Sequence, residues 1–256
     1  MTSLDKALAI LDTLGARSRA GVKELAQQTG MPPSTIHRIL ATLARCGYVR
    51  QDPATKQYHL SLKLLELGAK VRIDLDIVIA ARPHMRRLME KSGETVNLVM
   101  FDAGEVVYVE QEANTRAMLR MFTRVGARVP LYCSGVGKAF LAWLGDEAAL
   151  EYFAKVDKKR HTPRTIMEPD ALLRELRTIR QTGYAVDDEE MEAGVRCVAA
   201  LILQAGPAVA GAMSISGPSA RLPLDRLPEL AALLLDASRA VSAQLGHDAG
   251  PIFADY

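Results

Sequence analysis

Cysteine is scarce in this 256-residue chain: Cys46, Cys133 and Cys197 stand far apart, with no C-x-x-C pair. Isolated thiols in odd number exclude a disulfide framework and a zinc ribbon, so reduced thiols are expected. No uninterrupted apolar run reaches transmembrane length, and Asp5, Lys6 and Asp12 break the apolar pattern of the first residues, unlike a signal peptide. Cytoplasmic residence with no membrane partner is the expectation. There is no internal repeat and no low-complexity tract. Neither sign of charge dominates, since 32 basic residues meet 30 acidic ones for a net +2. With 49% hydrophobic and 24% charged residues the composition excludes wholesale disorder, and the length suits two domains.

The small net charge conceals an asymmetry. Residues 1–60 carry eight Lys or Arg against four Asp or Glu, a surplus of four, and the rest of the chain is slightly acidic. A basic end is the electrostatic footprint of nucleic-acid binding, although a solvated face has the same composition. Local patterns decide between them. Leu4, Leu8, Leu11 and Leu14 recur at helical spacing with Gly15 as the stop. After a flexible stretch at 16–21, Val22, Leu25 and Ala26 mark a short second helix ending at Gly30. Pro32 and Pro33 then set up a third helix with Ser34 as its cap and Ile36, Ile39, Leu40 and Leu43 as its buried stripe.

That stripe turns Ser34, Arg38, Thr42 and Arg45 outward with Thr35 and His37 on the flanks, a face of short hydroxyls and cations that suits the major groove. Residues 47–50 and 57–60 read as two short strands around the turn 52–56, so that Arg50 and Lys56 sit beside a hairpin tip where they can meet phosphate. Three helices and a basic hairpin make a winged helix-turn-helix over residues 1–61. Residues 62–76 read as a leucine-dense linker helix that packs against a second subunit, and a further helical run to Glu90 contains Pro83, where a kink or a helix start is expected.

Residues 77–256 read as an α+β domain. Alternating or β-branched runs at 95–101, 105–111 and 117–123 predict an antiparallel meander; helices are expected from Ser134-Gly135 and at 146–155, 170–182 and 227–245, with strands at 195–204 and 208–216. Residues 133–138, CSGVGK, are a fragment of a phosphate loop, but Tyr132 and Ala139 break the Walker pattern, which disfavours NTP hydrolysis. Small residues at the mouth of an apolar helix leave backbone N–H groups free to hold an anion, unless the glycines serve packing alone. The run 187–190, DDEE, reads as an exposed acidic loop rather than a metal site, and no metal is expected. Cys197 has the apolar flanks of a packed thiol. Ser214 and Ser216 put two hydroxyls on one strand face, for a ligand or for each other.

Five segments in order, GVKELAQQTGMPPSTIHRILATLARCGYV, QYHLSLKLLELG, LYCSGVGKAFLA, DDEEMEAGVRCVAA and SISGPSARL, resemble the signature segments of the IclR family of bacterial transcription regulators, over residues 3 to about 245. Ser61 departs from the family's usual Gly. The resemblance implies a winged helix joined to a GAF-like effector-binding domain with an antiparallel sheet. It implies a small carboxylate effector, an oxo-acid or an aromatic acid, met by Gly135, Val136, Asp187, Cys197, Ser214 and Ser216, with Met118, Val129 and Val195 as the apolar wall. It further implies double-stranded operator DNA as partner, a homodimer or homotetramer built as a dimer of dimers, no cofactor, and control of a catabolic operon. The competing class is a cysteine-dependent hydrolase of a small carboxylate substrate using Cys133 or Cys197 with His84 or His161, but no residue pattern supplies an orienting group.

Overall fold

The computed structural model describes residues 2–73, 76–113, 124–206, 208–248 and 253. The chain divides into two compact units, Met1–Asp74 and Leu75–Tyr256.

In the first unit, helix α1 (Ser3–Arg17) opens on a capping box in which Asp5 N–H donates to Thr2 Oγ1 at 3.2 Å and Thr2 N–H donates to Asp5 Oδ2 at 2.7 Å. It does not stop at Gly15. It runs to Arg17 and ends where Ser18 takes a positive φ and donates its N–H to Leu14 O. The expected flexible stretch is also partly ordered, because Ala20 is buried and exchanges both backbone hydrogen bonds with Tyr58. Helix α2 (Val22–Thr29) ends on left-handed Gly30, and α3 (Pro33–Arg45) follows it. Ser34 is not the cap of α3: Pro32 holds that place, its carbonyl accepting the N–H of Thr35 and Ile36.

Strands β1 (Val49–Gln51) and β2 (Tyr58–Leu60) pair antiparallel, Arg50 opposite His59. Asp52 Oδ1 ties the tip by accepting the N–H of Ala54 and Thr55. Ile10, Leu14, Leu25, Ile36, Leu40 and Val49 form the core of this unit. Helix α4 (Leu62–Ile73) continues past Gly68; at its start Ser61 donates to Gly47 O and accepts the Lys63 N–H at 3.2 Å.

The second unit is a six-stranded antiparallel sheet between helices. Its strands are β3 (Thr95–Asp102), β4 (Glu105–Glu112), β5 (Arg128–Val129), β6 (Ala185–Asp188), β7 (Val195–Leu203) and β8 (Val209–Pro218), in the spatial order β5-β4-β3-β8-β7-β6. Alternation along β7 shows why both faces are covered. Val198, Ala200 and Ile202 pack with helices α5 (Asp76–Ser92) and α9 (Leu227–Gln244), while Cys197, Ala199 and Leu201 pack with α6 (Gly135–Leu144), α7 (Asp146–Lys155) and α8 (Pro169–Thr182). Helix α5 begins seven residues before Pro83 and runs on through it; the proline cannot donate to the Ile79 carbonyl, and Ile79 is exposed.

The first two strands of the expected meander are in place. β3 and β4 pair, but β3 has β8 as its other neighbour, and β4 has β5. The expected strand at 117–123 lies outside the described residues. Strand β6, whose last two residues belong to the run read as an acidic loop, was not expected.

Candidate functional site

The first unit presents its cations where the helical period places them. Ser34, His37, Arg38, Thr42 and Arg45 on α3 are exposed and Thr35 is half-buried, opposite the buried Ile36, Ile39, Leu40 and Leu43. Arg50 and Lys56 are exposed on the hairpin. None of these four Arg and Lys side chains holds an ion pair with a described residue, so their charge is available to a partner. Arg19, by contrast, is paired with Asp52 at 3.0 Å and braces the hairpin.

The second unit encloses a cavity of about 210 Å³ between the N-terminus of α6 and the sheet. Ser134 caps α6: its Oγ accepts the Gly137 N–H at 3.1 Å and its carbonyl accepts the Lys138 N–H at 2.9 Å. The N–H groups of Gly135 and Val136 have no partner in the helix or its cap, and both residues line the cavity. Close approach of α6 to β7 requires the glycine, since a Cβ on Gly135 would sit 2.8 Å from Cys197 Sγ.

Strand register supplies the floor. Asp187 lies opposite Cys197 and Cys197 opposite Ser216, while in the next row Ala199 lies opposite Ser214. Burial pushes the Asp187 carboxyl up to about 6, against the N–H groups of Glu190 and Met191 that its Oδ1 accepts at 2.8 and 3.4 Å and against the charge of Lys138. Burial and the Asp187 charge together push the Cys197 thiol up to about 12, and burial raises Tyr108 above an ordinary phenol. A thiol held neutral to that degree is a donor and packing group, not a nucleophile. Cys133, also buried, is raised to about 12 as well.

The acidic run is not an exposed loop. Asp187 and Glu190 are buried, and Glu190 forms an ion pair with Lys138, whose ammonium also reaches Glu175 at 2.8 Å. Burial alone would lower the Lys138 pKa, but the two carboxylates hold it raised. Burial pushes Glu190 up to about 7 in turn. Lys138, which the phosphate-loop fragment offered to a nucleotide, is spent on this internal cluster.

Residues 3–53 match the IclR helix-turn-helix domain, and residues 69–243 match the family described as bacterial transcriptional regulator IclR C-terminal. The chain belongs to the IclR family. It is 38% identical to the HTH-type transcriptional regulator KdgR of Escherichia coli (strain K12), over 96% of this chain and 94% of that one. It is 35% identical to the HTH-type transcriptional repressor AllR of the same organism, over 97% and 92%. The crystal structure of the Thermotoga maritima IclR superposes with a TM-score of 0.77 at 32% identity, covering 95% of this chain and 98% of that one. The chain is thus an IclR-type transcription regulator with a helix-turn-helix and an effector-binding domain, and the hydrolase reading is set aside.

Of the residues assigned to the effector by resemblance, Val129, Gly135, Val136, Asp187, Val195, Cys197, Ser214 and Ser216 all line the one cavity, and Met118 lies outside the described residues. Not assigned to the effector from the sequence were Tyr108, Ala127, Ser134, Met191 and Glu192, which line it too. Strand alternation placed Tyr108 on one face with Val106, but nothing local said which face. Among the described residues no helix is long and apolar enough to cross a membrane, and no three metal-binding side chains cluster.

Proposed function

We propose that this IclR-family protein is a cytoplasmic repressor that binds an operator through α3 and the hairpin and releases it when a small organic acid occupies the cavity, controlling a catabolic operon. The observation that carries the reading is convergence: Gly135 and Val136, whose backbone N–H groups have no partner in the helix or its cap, and Ser214 and Ser216, from segments far apart in the chain, line the same small cavity. Donors gathered around one cavity suit a carboxylate, and a neutral apolar ligand would leave them unpaired. At about 210 Å³ the cavity is below the roughly 300–1,000 Å³ of sites for drug-sized molecules, which favours an oxo-acid or a compact aromatic acid. The name of AllR, a repressor, supports the sign of regulation.

A panel of oxo-acids and aromatic acids, screened by thermal shift, is expected to contain a clear stabiliser; at 100 times its dissociation constant a ligand adds roughly 2.7 kcal/mol. Ser214→Ala with Ser216→Ala is expected to erase that shift and leave ligand-free operator binding close to normal. Stabilisation by neutral apolar compounds alone would overturn the acid reading.

On the DNA side, Ser34, Thr35, His37, Arg38, Thr42 and Arg45 are the groove-facing set, and Arg50 and Lys56 neutralise phosphate. Arg38→Ala is expected to weaken operator binding by roughly 1–3 kcal/mol with the fold intact, because a bidentate arginine contributes about that much to base discrimination. An unchanged gel-shift affinity would remove α3 from the groove. A second copy is the proposed cover for the apolar surface of the first unit, where Leu4, Leu62 and Leu65 are each 68% exposed. We assign α4 the role of linker helix in that homodimer or dimer of dimers, whose paired helices α3 meet successive major grooves.

A further inference from the structure

Asn97 is fully buried on β3, the one polar side chain in the apolar run 96–101, and the cavity-lining groups described above do not include it. Register puts it directly opposite Ser214, and Ser216 is two residues along the same face of β8. Its Nδ2 lies 3.4 Å from Ser214 Oγ and 3.3 Å from Ser216 Oγ, long bonds of the kind expected when one amide group serves two acceptors. The two hydroxyls are themselves 3.4 Å apart. On its far side, Asn97 Oδ1 accepts from Gln111 Nε2 at 3.0 Å, across the β3–β4 pair.

These contacts have a polarity. An amide nitrogen only donates, and its two hydrogens are enough for one to each serine. A serine oxygen that accepts from Asn97 has no reason to turn its own hydrogen toward that nitrogen, so each O–H is turned away from β3, one free to bridge the two serines and the other left for the cavity that both line. Reversed, with Oδ1 facing the serines, the amide would draw both hydroxyl hydrogens out of the cavity and leave lone pairs facing the ligand. The orientation with Nδ2 on the serines is the one in which Oδ1 also accepts from Gln111 Nε2.

We propose that Asn97 is a positioning residue that sets the direction of the Ser214 and Ser216 hydroxyls, so that the cavity presents donors and selects a carboxylate over its neutral carboxamide. The inference rests on the acid-effector reading. Asn97 does not touch the ligand; it acts through the serines, and a chain of donors running Gln111 to Asn97 to serine to carboxylate strengthens at each link. The selectivity of the site is thereby decided one strand away from it.

The test is the ratio of affinities for an acid and its amide, measured by calorimetry with pyruvate against pyruvamide and benzoate against benzamide. Asn97→Leu removes the donor without adding charge in a strand that is already apolar; Asn97→Asp replaces it with an acceptor. In both, the acid-to-amide ratio is expected to fall by about tenfold or more, and further in Asn97→Asp, whose carboxylate takes both hydroxyl hydrogens. A role confined to packing would weaken acid and amide alike and leave the ratio where it was, and that result in Asn97→Leu overturns the proposal. Wild-type protein that binds neither acid overturns the acid reading itself, a failure distinguishable from the first because it appears before any substitution.

Discussion

The affinity of the cavity for an acid effector is expected to be level below about pH 6 and to fall by up to about tenfold per pH unit above it, because Asp187, pushed up to about 6, lines the same cavity. The ligand's own carboxyl, with an ordinary pKa near 4, stays ionised throughout that window. Below pH 6 it meets a protonated Asp187; above, it meets a like charge, and binding must take up a proton. Around Asp187 stand Lys138 of α6, Glu190 in the following loop, Asp188 on its own strand, Cys197 of β7 and Tyr108 of β4. Cys197 does not titrate here, its thiol being held up at about 12. Glu190, at about 7, does, but it does not line the cavity and contributes the weaker slope. Asp187→Asn is therefore expected to flatten most of the profile and to bind the acid up to about 100-fold more tightly than wild type at pH 8. Titration calorimetry from pH 5.5 to 8, in buffers of different ionisation heat, reads both the affinity and the proton uptake. A flat wild-type profile would sink the assignment of Asp187 to the site.

Gly137→Ala is expected to destabilise the effector-binding domain by about 3 kcal/mol or more, the upper range for overpacking. The added Cβ would lie 2.4 Å from Leu131 Cα, 2.6 Å from Leu131 O and 2.6 Å from Ser134 Oγ, and two of those three atoms are backbone. Alanine is better than glycine in a helix by up to about 1 kcal/mol, too little to offset the collision. The first turn of α6 has to move, and the Ser134 cap moves with it, a further loss of about 1 kcal/mol. Gly68→Ala is the control, because nothing lies within 4 Å of its Cβ position on α4 and only the helix preference remains. Urea unfolding of the full chain should show a lowered midpoint for Gly137→Ala and none for Gly68→Ala. An unchanged midpoint in the first would mean that α6 does not press on the 131–134 segment.

The first prediction turns on contacts between segments distant in sequence and the second on atoms within six residues of Gly137, and the same division separates what could be read early from what could not. Helices α1 to α3 were legible from apolar stripes such as Ile36, Ile39, Leu40 and Leu43, which repeat at the period of a helix, a property of about two neighbouring turns. The hairpin was legible from its turn residues, and the start of α6 from a serine and a glycine side by side. Helix ends were less so: α1 passes Gly15 because a glycine permits a stop without requiring one. The acidic run at 187–190 misled, since four consecutive carboxylates read locally as solvated, and only folding brings Lys138 to Glu190 from 52 residues away. Sheet order was likewise beyond local reading. Asn97 bonds Ser214 across 117 residues of chain, and no pattern within β3 or β8 names the other as neighbour. Helical period, turn chemistry and capping are short-range physics, and the sequence by itself determined them. Which strands lie side by side, which carboxylates lose their water and which way a buried amide turns depend on the whole packed sheet, and those the tertiary structure alone decided.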